Sequence, residues 1–303
     1  MHNNKRVKEG VLYNMNTVLI TDSCSDLPLE FVENSNIKIL SLTVHFKNKE
    51  YKDDFGKTIK YKDFYSALRE GEITTTSQIN VQAFADAFKE AVSLGNSVIY
   101  LGFSSALSGC VSSATMARNI VLEEYRDADI SVIDTRSASL GQGLIVYKAY
   151  NMLKEGCSKE EIINWVEDNK LKVNHWFTVD DLKFLTRGGR ISQGAAQIGT
   201  LFNIKPILNV SNEGKLTPQS KVSGRKRSLK ALANMLFERA VNPEKQKIFI
   251  SHGDCFEDAE FLKNFILEKI LVKNVIINNV GPVIGSHSGP GTVALFFLGN
   301  SRE

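Results

Sequence analysis

The amino-acid sequence predicts an α/β protein with two α/β domains. The N-terminal domain has a parallel sheet flanked by helices, and the C-terminal domain has a mixed sheet with helices. The length of 303 residues exceeds what one hydrophobic core usually supports. Short apolar runs alternate with stretches of helical periodicity, which is typical of parallel sheets covered by helices. In the second half, "NEGK" at residues 212–215 indicates a turn between two strands, so that sheet is predicted to be mixed.

Four apolar runs in the first half predict strands, and the stretches at 81–94 and 111–124 have the periodicity of helices. The four runs are "TVLIT", "IKILSLTVHF", "SVIYLG" and "ISVID". Three polar or glycine-rich turns follow runs of this kind, namely "TDSCSD", "GFSSALSGC" and "DTRSASLGQG". Because ligands of open α/β sheets bind at the carboxyl ends of strands, we expect one site at these turns.

The boundary between the domains is predicted from two helical stretches at 140–155 and 159–169, which "EGCS" separates. The predicted domains are therefore residues 15–157 and 158–303. Met15 directly precedes the first strand, so the first fourteen residues are expected to be a mobile extension outside the fold.

The second half repeats the alternation, with helices predicted near 225–240 and 255–270. The strands predicted there are "VNHWFTVDDLKFL", "IKPILNV", "GKLTPQSKV", "KIFISHGD", "NVIINNV" and "TVALFFL".

Composition excludes several classes of function. The formal net charge of +3 is too small for the basic footprint of a nucleic-acid-binding protein, so no nucleic-acid partner is predicted. The four cysteines stand singly without CxxC spacing, which argues against a metal site, a redox motif and disulfides. No apolar run reaches the ~18 residues that span a bilayer, and the first residues lack the apolar core of a signal peptide. We therefore predict a cytoplasmic protein with no cofactor, no metal and no stable membrane insertion.

Hydroxyl and imidazole groups near the predicted sheet edge indicate an anion site. "TTTSQ" at 74–78 and "SSALSGC" at 104–110 lie at the starts of helices, where backbone N–H groups favour an anion. His287 lies in a glycine-rich loop, "GPVIGSHSGPG", whose backbone can approach a ligand closely. Together these groups suit a carboxylate or a phosphate. The alternative is that the hydroxyls only cap helices.

Other sequence motifs, present or absent, reduce the number of functions that the chain could have. No Walker A pattern and no GxGxxG fingerprint appears, which disfavours nucleotide binding, and the lack of a GxSxG elbow disfavours a serine hydrolase of that type. His45 and His175 lie in apolar runs and are predicted to be core or surface histidines, whereas His252 is placed to approach the sheet edge or to cap a helix. The basic segments "LTRGGRIS" and "KVSGRKRSLK" are either solvated faces or a surface for an acidic partner or a phosphorylated ligand.

Seven motifs together resemble the DegV family. In order, and near the family's spacing, they are "TDSCSDLP", "TTSQ", "SSALSG", "DTRSASLGQG", "FLTRGGRIS", "GTLFNIKPIL" and "GPVIGSHSGPG". The resemblance covers residues 17–299 and implies two α/β domains that hold a long-chain fatty acid in an internal tunnel. It also implies the binding subunit of a fatty acid kinase in phospholipid metabolism, which presents the carboxylate to a separate ATP-binding kinase subunit for conversion to acyl phosphate.

Carried onto this sequence, the resemblance implies that Thr76, a serine of "SSALSG" and His287 bind the fatty-acid carboxylate. Ser105 is the preferred serine of that motif. The resemblance also implies a role for Arg187 and Arg225 in the kinase encounter or in phosphoryl transfer.

The sequence departs from the family pattern at Ile79, Cys110 and Ser223, where the family usually has a proline, a threonine and an arginine. The third departure bears on the kinase, and Arg225 or Arg227 is the candidate substitute for the arginine.

Two other functions stay open at this point. One is a stand-alone hydrolase or transferase that uses His287. The other is a regulatory or interaction protein with a lipid pocket and no phosphotransfer role. No catalytic residue is assigned to the chain acting alone, although His287 is a candidate for phosphoryl transfer in the complex with a kinase.

Overall fold

The computed structural model of the chain describes residues 5–8, 11–14, 16–192, 194 and 203–303. The strands are β1 Lys5–Lys8, β2 Val11–Asn14, β3 Thr17–Asp22, β4 Lys38–Leu40, β5 Thr43–Phe46, β6 Lys49–Lys52, β7 Thr75–Ser77, β8 Ser97–Gly102, β9 Ile130–Asp134, β10 Val173–Thr178, β11 Ile204–Val210, β12 Leu216–Ser223, β13 Lys247–His252, β14 Asn274–Asn279 and β15 Val293–Leu298. The α-helices are α1 Leu29–Glu33, α2 Tyr61–Arg69, α3 Val81–Ser93, α4 Cys110–Glu124, α5 Leu140–Lys154, α6 Lys159–Asn169, α7 Lys183–Arg187, α8 Arg225–Arg239, α9 Phe256–Leu267 and α10 Pro282–Ser288.

The N-terminal sheet is parallel, as the sequence predicts, with the strand order β4-β3-β8-β9. Successive side chains point to opposite faces of a strand, so Ile20 and Tyr100 pack against α3 and α4 while Leu19 and Leu101 pack against α5 and α6. All six residues of β8 are buried because helices cover both faces. The carboxyl ends of β3, β8 and β9 carry the three polar turns.

A three-stranded antiparallel sheet, in the order β6-β5-β7, adjoins the parallel sheet. The run "IKILSLTVHF", predicted as one strand, is divided between β4 of the parallel sheet and β5 of this small sheet. The strand β7 pairs with β5, and the register places Thr76 opposite Val44. This pairing fixes the position of the first predicted ligand-binding hydroxyl.

The C-terminal sheet is mixed, as predicted, with the order β12-β11-β10-β15-β13-β14. Only the β13–β14 pair is parallel, and the turn at 212–215 joins the antiparallel pair β11–β12. The helices α8 and α9 cover one face through Leu232, Leu262 and their neighbours. The other face, which includes Phe249 and Phe296, packs toward α5.

The helix α5 joins the two halves of the molecule, because it packs both on β3 and β8 and on β10, β13 and β15. The helix α6, which follows residue 157, packs on α5 and β8. The division of the chain between residues 157 and 158 stays a prediction. The strands β1 and β2 pair with each other in a two-stranded sheet of their own.

Candidate functional site

A cavity lies between the two halves, beside the carboxyl ends of β3, β8 and β9. It encloses about 1000 Å³ of atom-free space, including the part open to solvent. Most of its wall is apolar, as expected of a small-molecule site. The apolar lining consists of Leu42, Phe103, Leu107, Ala138, Phe177, Leu185, Val210, Leu216, Val280, Val283, Ile284, Ala294 and Phe296.

One wall of the cavity is α10 and the residue range just before it. Side chains that line the cavity recur along this segment at the spacing of one helix face. They are Val280, Val283, Ile284, His287 and Ser288. The segment was predicted as a glycine-rich loop, and that prediction is wrong, because Pro282 starts a helix that continues to Ser288. A proline at the first helical position costs no hydrogen bond and has a suitable φ, which explains why this glycine-rich sequence forms a helix there.

The first turn of α10 is held by buried carboxyl groups of the N-terminal half. The Gly281 N–H donates to Asp26 Oδ1 at 2.9 Å, and the Val283 N–H donates to Asp53 Oδ2 at 3.3 Å. These bonds satisfy backbone groups that have no partner within the helix. Burial raises the pKa of both carboxyls, that of Asp53 to about 7. The helix therefore begins at a fixed point of the interface between the halves.

The last turn of α10 brings together Thr76 and His287, which are 211 residues apart in sequence. His287 Nε2 lies 2.8 Å from Thr76 Oγ1, a hydrogen bond whose direction depends on the imidazole tautomer. His287 Nδ1 is buried without a hydrogen-bond partner among the described residues, and so is the hydroxyl of Ser288. A buried polar atom without a partner is costly, so the last turn of α10 has unused hydrogen-bonding capacity beside the cavity.

His287 is uncharged at neutral pH. Burial lowers its pKa to about 4, and the nearby guanidinium groups of Arg190 and Arg187 contribute to the same shift. The positive charge of the site therefore comes from arginine. A neutral imidazole still donates one hydrogen bond to a carboxylate.

Arg190 is the charged residue of the cavity wall that sequence reasoning missed. Its Nε donates to the Leu107 carbonyl at 3.2 Å and its Nη1 to the Gly188 carbonyl at 2.6 Å. Burial lowers the pKa of the guanidinium, and in the part of the chain that the structure describes no Asp or Glu forms an ion pair with it. The signal was present in "RGGR", whose second arginine is Arg190, but spacing alone does not say which arginine faces inward.

Ser105 is not brought to the cavity. It is exposed, and its hydroxyl donates to Asp134 Oδ2 at 2.5 Å while its N–H donates to Asp134 Oδ1 at 3.2 Å. The turn after β8 thus uses Ser105 to bind the end of β9. Ser108, three residues later in the same motif, lines the cavity instead. The preference for Ser105 as a carboxylate ligand needs this correction, whereas the prediction that a serine of "SSALSG" faces the site is compatible with the geometry.

The two arginines predicted to contact a kinase differ in solvent exposure and in the partners of their side chains. Arg187 ends α7, is exposed, and stacks on the Phe184 ring at 5.0 Å. Arg225 is half-buried, donates from Nε to Asp258 Oδ2 at 2.8 Å, and donates from Nη2 to the Gly291 carbonyl at 2.6 Å. Arg225 therefore ties the start of α8 to the turn before β15.

The neighbours of Arg225 in "KVSGRKR" are more accessible. Arg227 is exposed on the first turn of α8, and Ser223 is exposed at the end of β12. Of the two candidate substitutes for the family arginine, Arg227 has the more solvent-accessible side chain.

His175 and His252 have hydrogen-bond partners close by in the fold. His175 is buried in the cavity wall, its Nδ1 lies 2.9 Å from the Val173 carbonyl, and its Nε2 accepts from the Ala138 N–H at 3.3 Å. Burial lowers its pKa well below the usual value. His252 Nδ1 accepts from the Cys255 N–H at 3.2 Å, just before α9, which agrees with the capping interpretation.

Comparison with known proteins identifies the family. The family model described as "Uncharacterised protein, DegV family" matches residues 16–300. A DegV domain-containing protein of Clostridium perfringens is 51% identical over 286 residues, which are 94% of this chain and 98% of that protein. The chain belongs to the DegV family.

Solved structures of other DegV proteins share the fold. A structure described as fatty acid binding of a DegV family protein from Thermus thermophilus has a TM-score of 0.85 at 30% identity, covering 94% of this chain and 100% of that one. A stearic acid-binding protein from Eubacterium ventriosum has a TM-score of 0.82 at 26% identity, covering 93% and 97%. In the described residues of this DegV protein, no helix is long and apolar enough to cross a bilayer.

Proposed function

We propose that this DegV protein binds a long-chain fatty acid in the cavity and presents its carboxylate beside Thr76 and His287 to a separate ATP-binding kinase. The observation that carries the proposal is Arg190, a partly buried cation without an acidic partner in the described residues, in the wall of a mostly apolar cavity. Such a charge is costly unless an anion pairs with it. An anionic group with a long apolar tail matches both features of the cavity.

The tail supplies most of the affinity. At ~0.8 kcal/mol per buried CH₂, enclosing about 14 methylenes gives a gross gain on the order of 11 kcal/mol before ordering costs. The carboxylate must exchange its bound water for polar groups of the protein. The positions of those groups set the orientation of the fatty acid in the cavity. Arg190, His287 and the hydroxyls of Thr76, Ser108 and Ser288 are the groups placed to replace that water.

The described relatives support a fatty acid over other amphiphilic anions. The Thermus thermophilus protein is a fatty acid binder, and the Eubacterium ventriosum protein binds stearic acid. The cavity of this chain lies within a fold that matches both over nearly the whole chain.

Two features of the chain support the proposed kinase step. No nucleotide-binding fingerprint occurs in the sequence, so ATP would come with a partner. In the proposed transfer a carboxylate oxygen attacks the γ-phosphorus, the bond from that phosphorus to the bridging oxygen breaks, and ADP leaves. Arg187 is exposed, and the next residue, Gly188, lies against the His287 ring. In this proposal Arg187 stabilises the charge of the phosphoryl group. This reaction would take place in the cytoplasm.

A stand-alone hydrolase is less compatible with the geometry. A general base needs a pKa near the working pH and a group that orients it. His287 has a pKa of about 4, is flanked by arginines, and has no carboxylate on Nδ1 in the described part of the chain. The Thr76–His287 pair therefore suits binding better than nucleophilic catalysis.

The first test is the lipid content of the protein. We expect mass spectrometry of an organic extract of the purified protein to show one long-chain fatty acid per chain. Delipidated protein should rebind palmitate or stearate from solution, as calorimetry would measure. A chain that carries no fatty acid and binds none would contradict the proposal and favour a regulatory role.

The second test separates binding from transfer. Arg187→Met should keep its affinity for palmitate and lose most acyl phosphate formation when a cognate kinase and ATP are added. Arg126→Met is the matched control, because Arg126 is an exposed arginine between α4 and β9, at the opposite edge of the parallel sheet. Equal transfer rates in the two variants would remove Arg187 from the kinase step.

A further inference from the structure

One wall of the cavity is a face of the C-terminal sheet, and the side chains of this face change from small to large along the strands. On β15 the lining residues are Thr292, just before the strand, then Ala294 and Phe296. On the neighbouring strand β13, Ser251 lies opposite Ala294 and Phe249 lies opposite Phe296. Small side chains therefore lie at one end of this wall, and two phenylalanines lie side by side at the other.

The small side chains lie nearest to the last turn of α10. The Thr292 hydroxyl donates to the carbonyl of Ser288, the residue that follows His287, at 3.0 Å. An acyl chain whose carboxylate is bound at this turn therefore enters the cavity beside Thr292. From there it runs along the wall toward Phe296.

The cavity ends at the row of large side chains. Ala294 is 7% exposed, whereas Phe296 and its cross-strand neighbour His175 are 2% and 1% exposed. The next pair on the same face, Val173 and Leu298, does not line the cavity. The surface that a ligand can reach therefore falls sharply between Ala294 and Phe296.

The His175 ring gives this end of the cavity a fixed shape. It lies edge-on to the Phe296 ring, with the ring centroids 5.4 Å apart. Its two nitrogens are hydrogen-bonded to the Val173 carbonyl and the Ala138 N–H. A Cβ at Gly141 would lie 2.0 Å from His175 Nε2, so α5 approaches the ring as closely as only a glycine permits. The aromatic pair is therefore held in place from several sides.

We propose that the aromatic pair His175–Phe296 closes the cavity and sets the length of the fatty acid that binds best, with Phe296 as the residue that determines this length. The proposal rests on the proposed function, since it takes the carboxylate to lie at the last turn of α10. An acyl chain that reaches the two rings fills the cavity. Because protein interiors are closely packed, carbons beyond that length find no space without displacing the rings.

Chain length then acts differently before and after the rings. Up to the rings, each methylene removed from water raises the affinity about 4-fold. Two residues of a strand advance about 6.6 Å and an extended acyl chain about 1.2 Å per bond, so the next row of the sheet lies about five carbons further on. A smaller side chain at position 296 opens part of that space, enough for about two to four carbons.

The experiment measures how laurate, myristate, palmitate, stearate, arachidate and behenate displace a fluorescent fatty acid from the delipidated full-length protein. We expect the affinity to rise with chain length up to one best acid and to fall beyond it. Because this comparison uses the natural sequence, it does not depend on a variant that folds. An affinity that continues to rise through behenate would overturn the proposal, with fatty-acid binding itself intact. Failure of all these acids to bind would overturn the proposed function as well.

Two variants should move the length limit in opposite directions. Phe296→Val opens space behind the wall, so the best acid should become about two to four carbons longer. Ala294→Val adds volume in front of the rings, so the best acid should become shorter, and this variant decides the question if Phe296→Val does not fold. A best acid that is unchanged in the folded variants would overturn the proposal.

Phe297→Val is the matched control. Phe297 is the next residue of β15, and its buried side chain packs on the opposite face of the sheet in the cluster of Leu232 and Leu262. Phe297→Val should lower the melting temperature, as Phe296→Val does, and leave the best acid unchanged. An equal shift of the best acid in Phe297→Val would overturn the proposal, because general loss of packing would then determine the chain length.

Discussion

The two ends of α10 differ in how their polar groups are satisfied. At the first turn, the N–H groups of Gly281 and Val283 are bonded to Asp26 and Asp53, whose carboxyl groups are almost fully buried. At the last turn, His287 Nδ1 and the Ser288 hydroxyl have no partner within the described residues. One helix of seven residues therefore has one end completed by the chain itself and another end that is incomplete.

The difference separates stability from binding. Groups that are fully bonded within the chain hold the two halves together, and their loss should destabilise the protein. Polar groups of a cavity that lack a partner in the chain contribute little to the free energy of folding, and they form their hydrogen bonds with a ligand. Arg190 belongs with the second set, because it is a cation of the cavity wall with no ion pair to a described carboxylate. Substitutions at the two ends should therefore affect different measurements.

The largest effect is expected at the completed end. Asp26→Ala leaves the Gly281 N–H and the Ser139 hydroxyl without their acceptor, and two such buried groups cost about 2 to 6 kcal/mol. Urea denaturation should show this loss in the free energy of unfolding, with palmitate affinity retained by the folded fraction. A variant as stable as the natural protein, but unable to bind palmitate, would assign Asp26 to the site instead.

The next effect is expected at the incomplete end. Arg190→Met keeps the length of the side chain and removes the charge, so palmitate affinity should fall about 10- to 100-fold, the range for hydrogen bonds to charged groups. The free energy of unfolding should stay the same or rise, because a partly buried cation is removed. Titration calorimetry and urea denaturation measure the two quantities.

Arg187→Met provides the comparison for Arg190→Met, because both arginines belong to "RGGR" and Arg187 is the exposed one. Its palmitate affinity should match that of the natural protein. If the two variants lose affinity equally, long-range charge and not contact explains the role of Arg190.

A smaller effect is expected from the glycine that touches His287. A Cβ at Gly188 would lie 2.2 Å from His287 Nδ1, so Gly188→Ala must displace the imidazole from Thr76. We expect palmitate affinity to fall about 10-fold, the value of roughly one hydrogen bond to a carboxylate. The φ of Gly188 is −71°, which alanine adopts without strain.

Gly189→Ala is the matched control for this contact. Its Cβ would meet nothing within 4 Å, but its φ of +69° strains an alanine by roughly 1 to 2 kcal/mol. It should therefore lower the melting temperature and leave palmitate affinity unchanged. Loss of binding in Gly189→Ala alone would show that backbone conformation, and not contact with His287, controls the site.

Much of the fold was predictable because its regular elements are long and periodic. The strand β8 and the helices α3 and α4 were predicted within one or two residues of their observed ends. The small sheet was not, since β6 is "KEYK" and mostly exposed, and β7 has three residues. Such strands carry no apolar alternation, so their pairing depends on tertiary contacts.

The sequence predicts the kind of site, one that binds a carboxylate, better than it predicts which residues form it. Thr76 was predicted through the family resemblance and His287 also through its glycine-rich surroundings, and the structure brings the two side chains to 2.8 Å. The choice between Ser105 and Ser108 depends on a turn in which Asp134 binds Ser105, and no spacing in the sequence reveals that bond. Arg190 was missed because its inward orientation follows from carbonyl partners that only the folded chain brings together.

The smallest effect expected is a pH dependence of stability that arises at the completed end. Burial raises the pKa of Asp53 to about 7 from the value of 3.8 for an exposed Asp, so the folded protein holds a proton that the unfolded chain has lost. The stability associated with that proton is fully present below pH 3.8 and is lost as the pH rises through 7, the reverse of a salt-bridged carboxylate. Between pH 6 and 8 the loss amounts to about 1 kcal/mol.

Asp53→Asn should remove this part of the pH dependence, because the amide keeps an oxygen to accept the Val283 N–H and has no proton to lose. Burial also raises the pKa of Asp26, which therefore contributes to the pH dependence of stability in the natural protein and in the variant. The informative quantity is the difference between the unfolding free energies of these two proteins at each pH. That difference should favour the variant increasingly from pH 6 to pH 8, while palmitate affinity stays equal in both. Parallel stability curves would mean that Asp53 stays ionised in the folded protein, and that the first turn of α10 is held by a charged carboxylate.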